Sequence, residues 1–190
     1  HEARRQMRDA HGGVGLVDVL ATGALTTVQD LGRRGLAHLG VPRAGALDAP
    51  AAALANRLVG NAASAAVLEV TLGGLELRAD AGVWFAVSGA PCPVTVDGEA
   101  RGHSRAEWLA PGSTLRVGEP LTGVRSCVAV AGGIAVAPVL GSRSTDTLAW
   151  VGPPRVTPGT KLPVGDLTGE PLVERADFFG VVGVRLVGSQ

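Results

Sequence analysis

The sequence lacks any excess of charge, since its 190 residues carry 17 basic and 17 acidic side chains. Proteins that bind nucleic acids or anionic membranes usually carry a basic excess, so this balance argues against both kinds of partner. No apolar run approaches the roughly 20 residues of a membrane-spanning helix. A signal-peptide pattern is also missing. The sequence therefore predicts a cytoplasmic protein.

Cysteine and metal-binding patterns are scarce as well. The only two cysteines, Cys92 and Cys127, form no CxxC motif. This favours two buried or half-buried thiols in a reducing compartment, although a single disulfide also fits the sequence. The four histidines have no metal-ligand spacing, so no metal site is predicted. No P-loop, GxGxxG, GxSxG or HExxH motif is present, so the enzyme classes that depend on them are not indicated.

Short apolar segments separated by glycine and proline dominate the chain. Leu68, Val70 and Leu72 alternate with polar residues, and Val83–Val87 is a continuous apolar run typical of a strand buried on both faces. Further strands are predicted at 16–20, 24–28, 75–79, 94–96, 107–109, 115–117 and 124–130. Their spacing predicts an all-β sandwich or barrel, with one hairpin in residues 16–28 and another at Asp97-Gly98.

One helix interrupts the strands. It is predicted at Ala49–Val59, and Asp48 is its N-cap. Glu69 follows the helix between inward-facing residues of a strand, so we expect it to face solvent. A buried Glu69 would need a basic partner, for which Arg34 and Arg57 are the candidates.

The two ends of the sequence differ from this pattern. Residues 1–13 are polar without strand alternation and are interpreted as a leader or tag-like segment. Residues 14–166 form the predicted β domain. Residues 167–190 are predicted to begin a further, truncated segment with a strand at Gly183–Val187. The stretch from Pro153 to Pro171 is rich in proline, glycine and threonine, which predicts a loop or a boundary rather than core.

Residues 26–48 are the most unusual part of the sequence. Glycines recur there between Arg33, Arg34, His38 and Arg43. Glycine permits positive φ angles and the close approach of a ligand. The arginines favour an anion such as a carboxylate, a phosphate or bicarbonate. From these residues alone, an ordinary glycine-rich connection with solvated arginines is an equally good interpretation.

A second polar stretch follows the last strong strand. Five consecutive polar side chains, Ser142–Asp146, come soon after Gly132-Gly133. Hydroxyls, backbone N–H groups and a guanidinium in a row could form an anion cradle. A turn in which Ser144 and Asp146 bond their own backbone fits these residues slightly better.

Several motifs in these segments occur in the same order in one known family. They are TTVQDLGR at 26–33, GVP at 40–42, GALD at 45–48, LANRLVGN at 54–61, LEVT at 68–71, VAGGI at 130–134 and LGSRST at 140–145. With these motifs, residues 16–166 resemble the allophanate hydrolase subunit 2 family, a carboxyltransferase-type family that includes KipA-like proteins and the C subunit of bacterial 5-oxoprolinase. The resemblance implies a mainly β fold, a cyclophilin-like β-barrel with one or two short helices.

The resemblance also implies an enzyme subunit that acts with a KipI-like companion subunit. In 5-oxoprolinase the pair works with a third, lamB/YcsF-type subunit in the ATP-dependent opening of 5-oxoproline to glutamate, and ATP is expected at the level of the complex. In urea amidolyase the equivalent pair moves a carboxyl group from carboxybiotin to urea, so biotin enters only under this second function. A non-catalytic, regulatory KipA-like partner and a ligand-binding barrel without turnover also fit the sequence.

For an amide or urea substrate beside an anion, the motif positions assign seven residues to a site. The catalytic residues are Asp30 and His38, and the substrate-binding residues are Gln29, Arg33, Arg143, Ser144 and Thr145. The arginines hold an anion, the side chains of positions 29 and 30 bind the amide with the carboxylate as base, and the histidine relays a proton. The two hydroxyl residues donate hydrogen bonds to an oxyanion. We expect residues 26–48 to face Ser142–Asp146 and a second chain to complete the site.

Overall fold

The structure, a computed structural model, describes residues 15–173. The leader predicted at 1–13 and the strand predicted at Gly183–Val187 lie outside these residues. The described part contains one α-helix, α1 (Ala49–Leu58), and a short 3-10 helix (Ala37–Leu39). Its strands are β1 Leu16–Thr22, β2 Leu25–Gln29, β3 Val67–Thr71, β4 Leu75–Ala79, β5 Val83–Gly89, β6 Val94–Val96, β7 Glu99–Arg101, β8 Ala106–Leu109, β9 Thr114–Val117, β10 Arg125–Val130 and β11 Lys161–Pro163.

The strands form two antiparallel sheets that share one core. The first sheet has the order β11-β1-β4-β9-β6-β7, and the second has the order β2-β3-β10-β5-β8. Val19, Leu77 and Leu115 of the first sheet pack with Leu68 and Phe85 of the second. Burying each such side chain contributes about 1.5–3 kcal/mol. The prediction of a mainly β fold with one or two short helices is confirmed.

Helix α1 covers the outer face of the second sheet. Oδ1 of Asp48 accepts a hydrogen bond from the N–H of Ala51 (3.0 Å), so the predicted N-cap is confirmed. The small side chains of the helix, including Ala55, pack against Cys127 and Ala129 of β10. Both faces of β3, β5 and β10 are buried as a result. No helix within residues 15–173 is long and apolar enough to cross a membrane.

The hairpin predicted within residues 16–28 is wrong. β1 pairs with β4 and β11 in the first sheet, whereas β2 pairs with β3 in the second. The chain crosses between the sheets at Gly23 (φ +62°), where a methyl group would clash with the carbonyl oxygen of Gly73. β3 and β4 make the same crossing alongside, through Gly73-Gly74. These glycines therefore form a packed corner. The predicted Asp97-Gly98 hairpin, by contrast, does join β6 and β7.

The stretch from Pro153 to Pro171 contributes to the core, which corrects its prediction as a loop. Val156 and Leu162 are buried in the shared core. β11 extends the first sheet beside β1, and the N–H of Val156 donates to the carbonyl of Thr26 (3.0 Å). A three-residue strand among prolines and glycines shows too little alternation to be recognised from the sequence.

Candidate functional site

The glycine-rich loop between β2 and α1 is closed by its own backbone. The N–H of Arg33 donates to the carbonyl of Arg43 (2.6 Å), and the N–H of Ala46 donates to the carbonyl of Asp30 (3.1 Å). Gly32 has a φ of +80°, and a methyl group there would clash with the Arg43 carbonyl. Glycine at this position is therefore what lets the two arms of the loop lie against each other.

Asp30 joins this loop to the second polar stretch. Its carboxylate accepts hydrogen bonds from the hydroxyls of Ser142 (2.6 Å) and Ser144 (2.7 Å) and from the N–H groups of Arg143 (2.7 Å) and Gly32 (2.8 Å). The expectation that the two segments face each other is confirmed. Partial burial tends to raise the pKa of Asp30, but the four hydrogen bonds outweigh it and hold the pKa below its ordinary value of 3.8.

These contacts determine how strong a base Asp30 can be. A carboxylate that accepts four hydrogen bonds and has a lowered pKa is a weak base. The geometry therefore gives Asp30 a connecting role between the loop and the second polar stretch. Its role as a catalytic base stays a prediction.

The side chain of Arg33 is buried and donates to backbone carbonyls within the second polar stretch and just before it. Its Nε donates to the carbonyl of Val139 (3.0 Å), and its Nη2 donates to the carbonyl of Ser144 (2.6 Å). Its Nη1 is buried without a partner among residues 15–173. Most of the guanidinium is thus used to hold the two segments together, and its buried Nη1 keeps an unused donor.

Gln29 and Thr145 are buried side by side next to this junction. Nε2 of Gln29 donates to the carbonyl of Thr145 (2.9 Å) and to the hydroxyl of Thr27 (3.0 Å). Within the described part of the chain, Oε1 of Gln29 and Oγ1 of Thr145 have no hydrogen-bond partner. Buried polar atoms usually have one. Together with Arg33, three of the seven predicted site residues therefore keep a buried polar atom with spare hydrogen-bonding capacity.

The remaining predicted residues are less closely tied to the junction. Arg143 reaches Asp30 only through its backbone N–H, while its side-chain Nε donates to the carbonyl of Val136 (2.7 Å). His38 is exposed in the 3-10 helix and makes no hydrogen bond or ion pair with any residue from 15 to 173. The structure therefore brings Gln29, Arg33, Ser144 and Thr145 together around Asp30 and leaves His38 at the surface.

An open pocket of about 340 Å³ lies on the glycine-rich loop, and we call it the arginine pocket. Three arginines and no acidic residue line it: Arg33, Arg34, Gly35, Ala37, Val41 and Arg43. The side chains of Arg34 and Arg43 are exposed there. Such a pocket suits a carboxylate, a phosphate or bicarbonate. No group of three His, Cys, Asp or Glu residues within 15–173 is arranged to hold a metal ion.

The prediction that Glu69 faces solvent is wrong. Its exposed fraction is 3%. Its Oε1 accepts a hydrogen bond from Nη1 of Arg125 (2.9 Å), and its Oε2 accepts one from the N–H of Leu47 (2.7 Å). The basic partner is therefore Arg125, rather than Arg34 or Arg57. The alternation along β3 was misleading because this inner strand is covered on both faces, by the core and by the segment that enters α1.

A second open pocket, of about 440 Å³, lies beside this ion pair. The predicted site residues are absent from its lining, which consists of Leu47, Asp48, Ala90, Pro91, Thr122, Gly123, Val124 and Arg125. We call it the Asp48–Arg125 pocket. The sequence signal that could have found it is a glutamate within an apolar strand, together with an arginine at the start of β10.

Comparisons with known proteins place this geometry in context. The family described as carboxyltransferase domain, subdomain A and B, matches residues 39–178. The C subunit of 5-oxoprolinase from Escherichia coli (strain K12) is 41% identical over 153 residues, which are 79% of this chain and 49% of that protein. Urea amidolyase of Saccharomyces cerevisiae is 37% identical over 137 residues, which are 72% of this chain and 8% of that protein.

Solved structures match as well. A crystal structure of TTHA0988 superposes with a TM-score of 0.77 at 37% identity, covering 85% of this chain and 34% of the other. The Kluyveromyces lactis urea amidolyase superposes with a TM-score of 0.75 at 31% identity, covering 86% and 10% respectively. The chain thus spans about half the length of the bacterial 5-oxoprolinase subunit that it matches, 49% of that protein.

Proposed function

Because the chain belongs to the carboxyltransferase domain family, subdomain A and B, we propose that it acts as part of a 5-oxoprolinase subunit. The reaction is the ATP-dependent opening of 5-oxoproline to glutamate, and ATP binds at the level of the assembled complex. Two bacterial relatives, each named as the C subunit of 5-oxoprolinase, support this choice at 41% and 32% identity. The chain's own contribution is to bind substrate and to complete a site with another subunit.

The arginine pocket is the observation that carries the proposal. The loop that forms it is held in place by the four hydrogen bonds of Asp30. Arg34 and Arg43 line the pocket with exposed side chains. 5-Oxoproline and ATP are both anions, so either a carboxylate or a phosphate would be attracted to these guanidinium groups.

Exposed apolar side chains around the same junction support a companion subunit. Leu148 and Trp150 are 87% and 71% exposed and lie shortly after the second polar stretch. Leu140 is exposed just before that stretch, and Leu39 is exposed on the glycine-rich loop. We propose that these side chains contribute to one apolar face, since such faces are typical of protein–protein interfaces. We assign this face to the KipI-like companion, and His38, exposed beside Leu39, would lie at that interface. A third, lamB/YcsF-type subunit belongs to the same proposal.

Two further functions have specific support. The apolar face would serve a regulatory, non-catalytic KipA-like partner equally well. The urea amidolyase relatives, at 37% identity for the yeast protein, support a urea-carboxylating subunit that would receive its carboxyl group from carboxybiotin. The assays below separate these functions.

The test uses the protein assembled with its companion subunits and measures ATP-dependent release of glutamate from 5-oxoproline. Arg34→Ala combined with Arg43→Ala should lower kcat/KM about tenfold or more, equivalent to about 1.4 kcal/mol. Both side chains are exposed, so the fold should be unaffected. The matched control is Arg116→Ala, an exposed arginine on the first sheet that pairs with Glu76 at 3.3 Å.

Three outcomes would contradict the proposal in different ways. An assembled complex without any turnover would favour the regulatory function. Carboxylation of urea by the same complex in the presence of a biotin-dependent partner would favour the urea-carboxylating function. Turnover that stays within about threefold of wild type in the double variant would remove the arginine pocket from the site.

A further inference from the structure

The Asp48–Arg125 pocket lies at the opposite end of the glycine-rich loop from the arginine pocket. Leu47 and Asp48 line it together with Thr122–Arg125. Its volume of about 440 Å³ is sufficient for a small molecule. Ala90, Pro91 and Val124 give the pocket apolar surface between these polar groups.

A buried ion pair fixes the pocket walls. Glu69 is 3% exposed, and a buried carboxylate is unfavourable unless charged or polar partners surround it. One oxygen of Glu69 accepts from Arg125, and the other accepts from the N–H of Leu47. Glu69 therefore holds the Arg125 guanidinium and the end of the loop together beside the pocket.

Two charged residues of the lining retain unused hydrogen-bonding groups. Arg125 donates through Nη1 to Glu69, and its other N–H groups have no partner among residues 15–173. Asp48 accepts from the Ala51 N–H through Oδ1, and within the same residues its Oδ2 accepts no hydrogen bond. A ligand in this pocket would therefore meet a donor from Arg125 and an acceptor from Asp48.

The charges select the class of ligand. Glu69 neutralises Arg125, and Asp48 leaves the pocket with a net negative charge, which disfavours a simple anion. A carbonyl oxygen would accept from Arg125 while a neighbouring N–H donates to Asp48. We propose that this pocket binds a planar amide group, as found in a lactam, a primary amide or urea. The choice of an amide ligand rests on the proposed function, whose substrate, 5-oxoproline, is a lactam; its carboxylate must then point away from Asp48.

The first experiment needs no variant and uses the 190-residue chain. It is titrated with 2-pyrrolidinone and, separately, with N-methyl-2-pyrrolidinone, and binding is followed by amide NMR. The first lactam should shift the signals of Leu47, Gly123 and Val124. The second has no N–H to donate to Asp48 and should bind about tenfold more weakly. Equal affinities, no binding, or shifts confined to the arginine pocket would overturn the proposal.

The second experiment assigns the two polar contacts. Asp48→Ser keeps an N-cap but removes the unused carboxylate oxygen. Arg125→Lys keeps a cation beside Glu69 but loses the planar guanidinium. Each should weaken binding of 2-pyrrolidinone about tenfold, while the control Arg116→Lys should bind as wild type does. Wild-type affinity in both pocket variants would overturn the proposal, and if a variant fails to fold, the comparison of the two lactams decides.

This outcome is separate from that of the proposed function. If the assembled complex converts 5-oxoproline but the chain binds neither lactam, only the assignment of the pocket is refuted. Selective lactam binding by a chain whose complex shows no turnover would refute the 5-oxoprolinase function alone.

Discussion

Replacing Asp30 with asparagine tests whether its carboxylate connects the two polar segments. Oδ1 accepts three hydrogen bonds, from Gly32, Ser142 and Ser144, and Oδ2 accepts one from the N–H of Arg143 (2.7 Å). An asparagine can keep the first three only if its NH₂ group faces the Arg143 N–H, which places two donors together. The charge that strengthens all four hydrogen bonds is lost as well.

The expected loss follows from these contacts. Hydrogen bonds to a charged group contribute about 1.5–3 kcal/mol each, and those between neutral groups contribute about 0.5–1.5 kcal/mol. One charged hydrogen bond disappears and three become neutral, but partial exposure lets solvent replace some of them. We expect Asp30→Asn to lower the free energy of unfolding by roughly 2–4 kcal/mol. Asp80→Asn is the control, because its Oδ1 accepts from Leu16 and Ala81 at an exposed position and stays an oxygen.

The measurement is urea unfolding at several pH values, followed by tryptophan fluorescence. The pKa of folded Asp30 is below its ordinary value of 3.8, so its contribution is fully present above the unfolded-state pKa and is lost as the pH falls through the folded-state pKa. The difference between wild type and variant should be constant above about pH 5 and should shrink below about pH 4. A loss below about 0.5 kcal/mol, or one equal to that of Asp80→Asn, would refute the connecting role.

Two further predictions concern two thiols and two glycines outside the proposed sites. Burial, together with the neighbouring charges of Glu69 and Asp48, raises the pKa of Cys127 to about 12, and Cys92 is buried too. Both thiols should therefore be inert to Ellman's reagent at pH 8 until urea unfolds the chain. Rapid reaction of the native protein would contradict this prediction. Gly132→Ala should destabilise the protein more than Gly98→Ala. Both glycines have positive φ, which costs about 1–2 kcal/mol for alanine, but only at Gly132 would the added methyl group also clash with a carbonyl, that of Gly165. Equal losses of stability in thermal unfolding would contradict this prediction.

A strand could be predicted where its own residues show the apolar pattern. It could not be predicted where the strand with which it pairs determines the structure. Alternation along β4 and the continuous apolar run of β5 each identify a strand locally. The sequence around Gly23 fits a hairpin and a corner equally well, because the choice depends on the pairing of β2 with β3, about forty residues later. β11 is a strand only because β1 offers it an edge.

The candidate site could be predicted in part for a similar reason. Glycine, arginine and hydroxyl residues indicated two polar segments that face each other, and the structure brings them together. Which group bonds which could not be predicted, since Asp30 and Ser142 are 112 residues apart. The connecting role of Asp30 and the buried state of Glu69 follow from long-range packing rather than from the residues beside them in the chain.

The two pockets are related by the loop that supplies residues to both. Its first end is held by Asp30, and its last end is held by the hydrogen bond between Leu47 and Glu69 (2.7 Å). With both ends fixed, the separation between the arginine pocket and the Asp48–Arg125 pocket is set by the fold. The first has the charge for an anion, and under our proposal the second holds an amide. Under the proposed function, opening a lactam with ATP requires an amide and a phosphate to be held in a defined relation, and a loop fixed at both ends would favour such a relation.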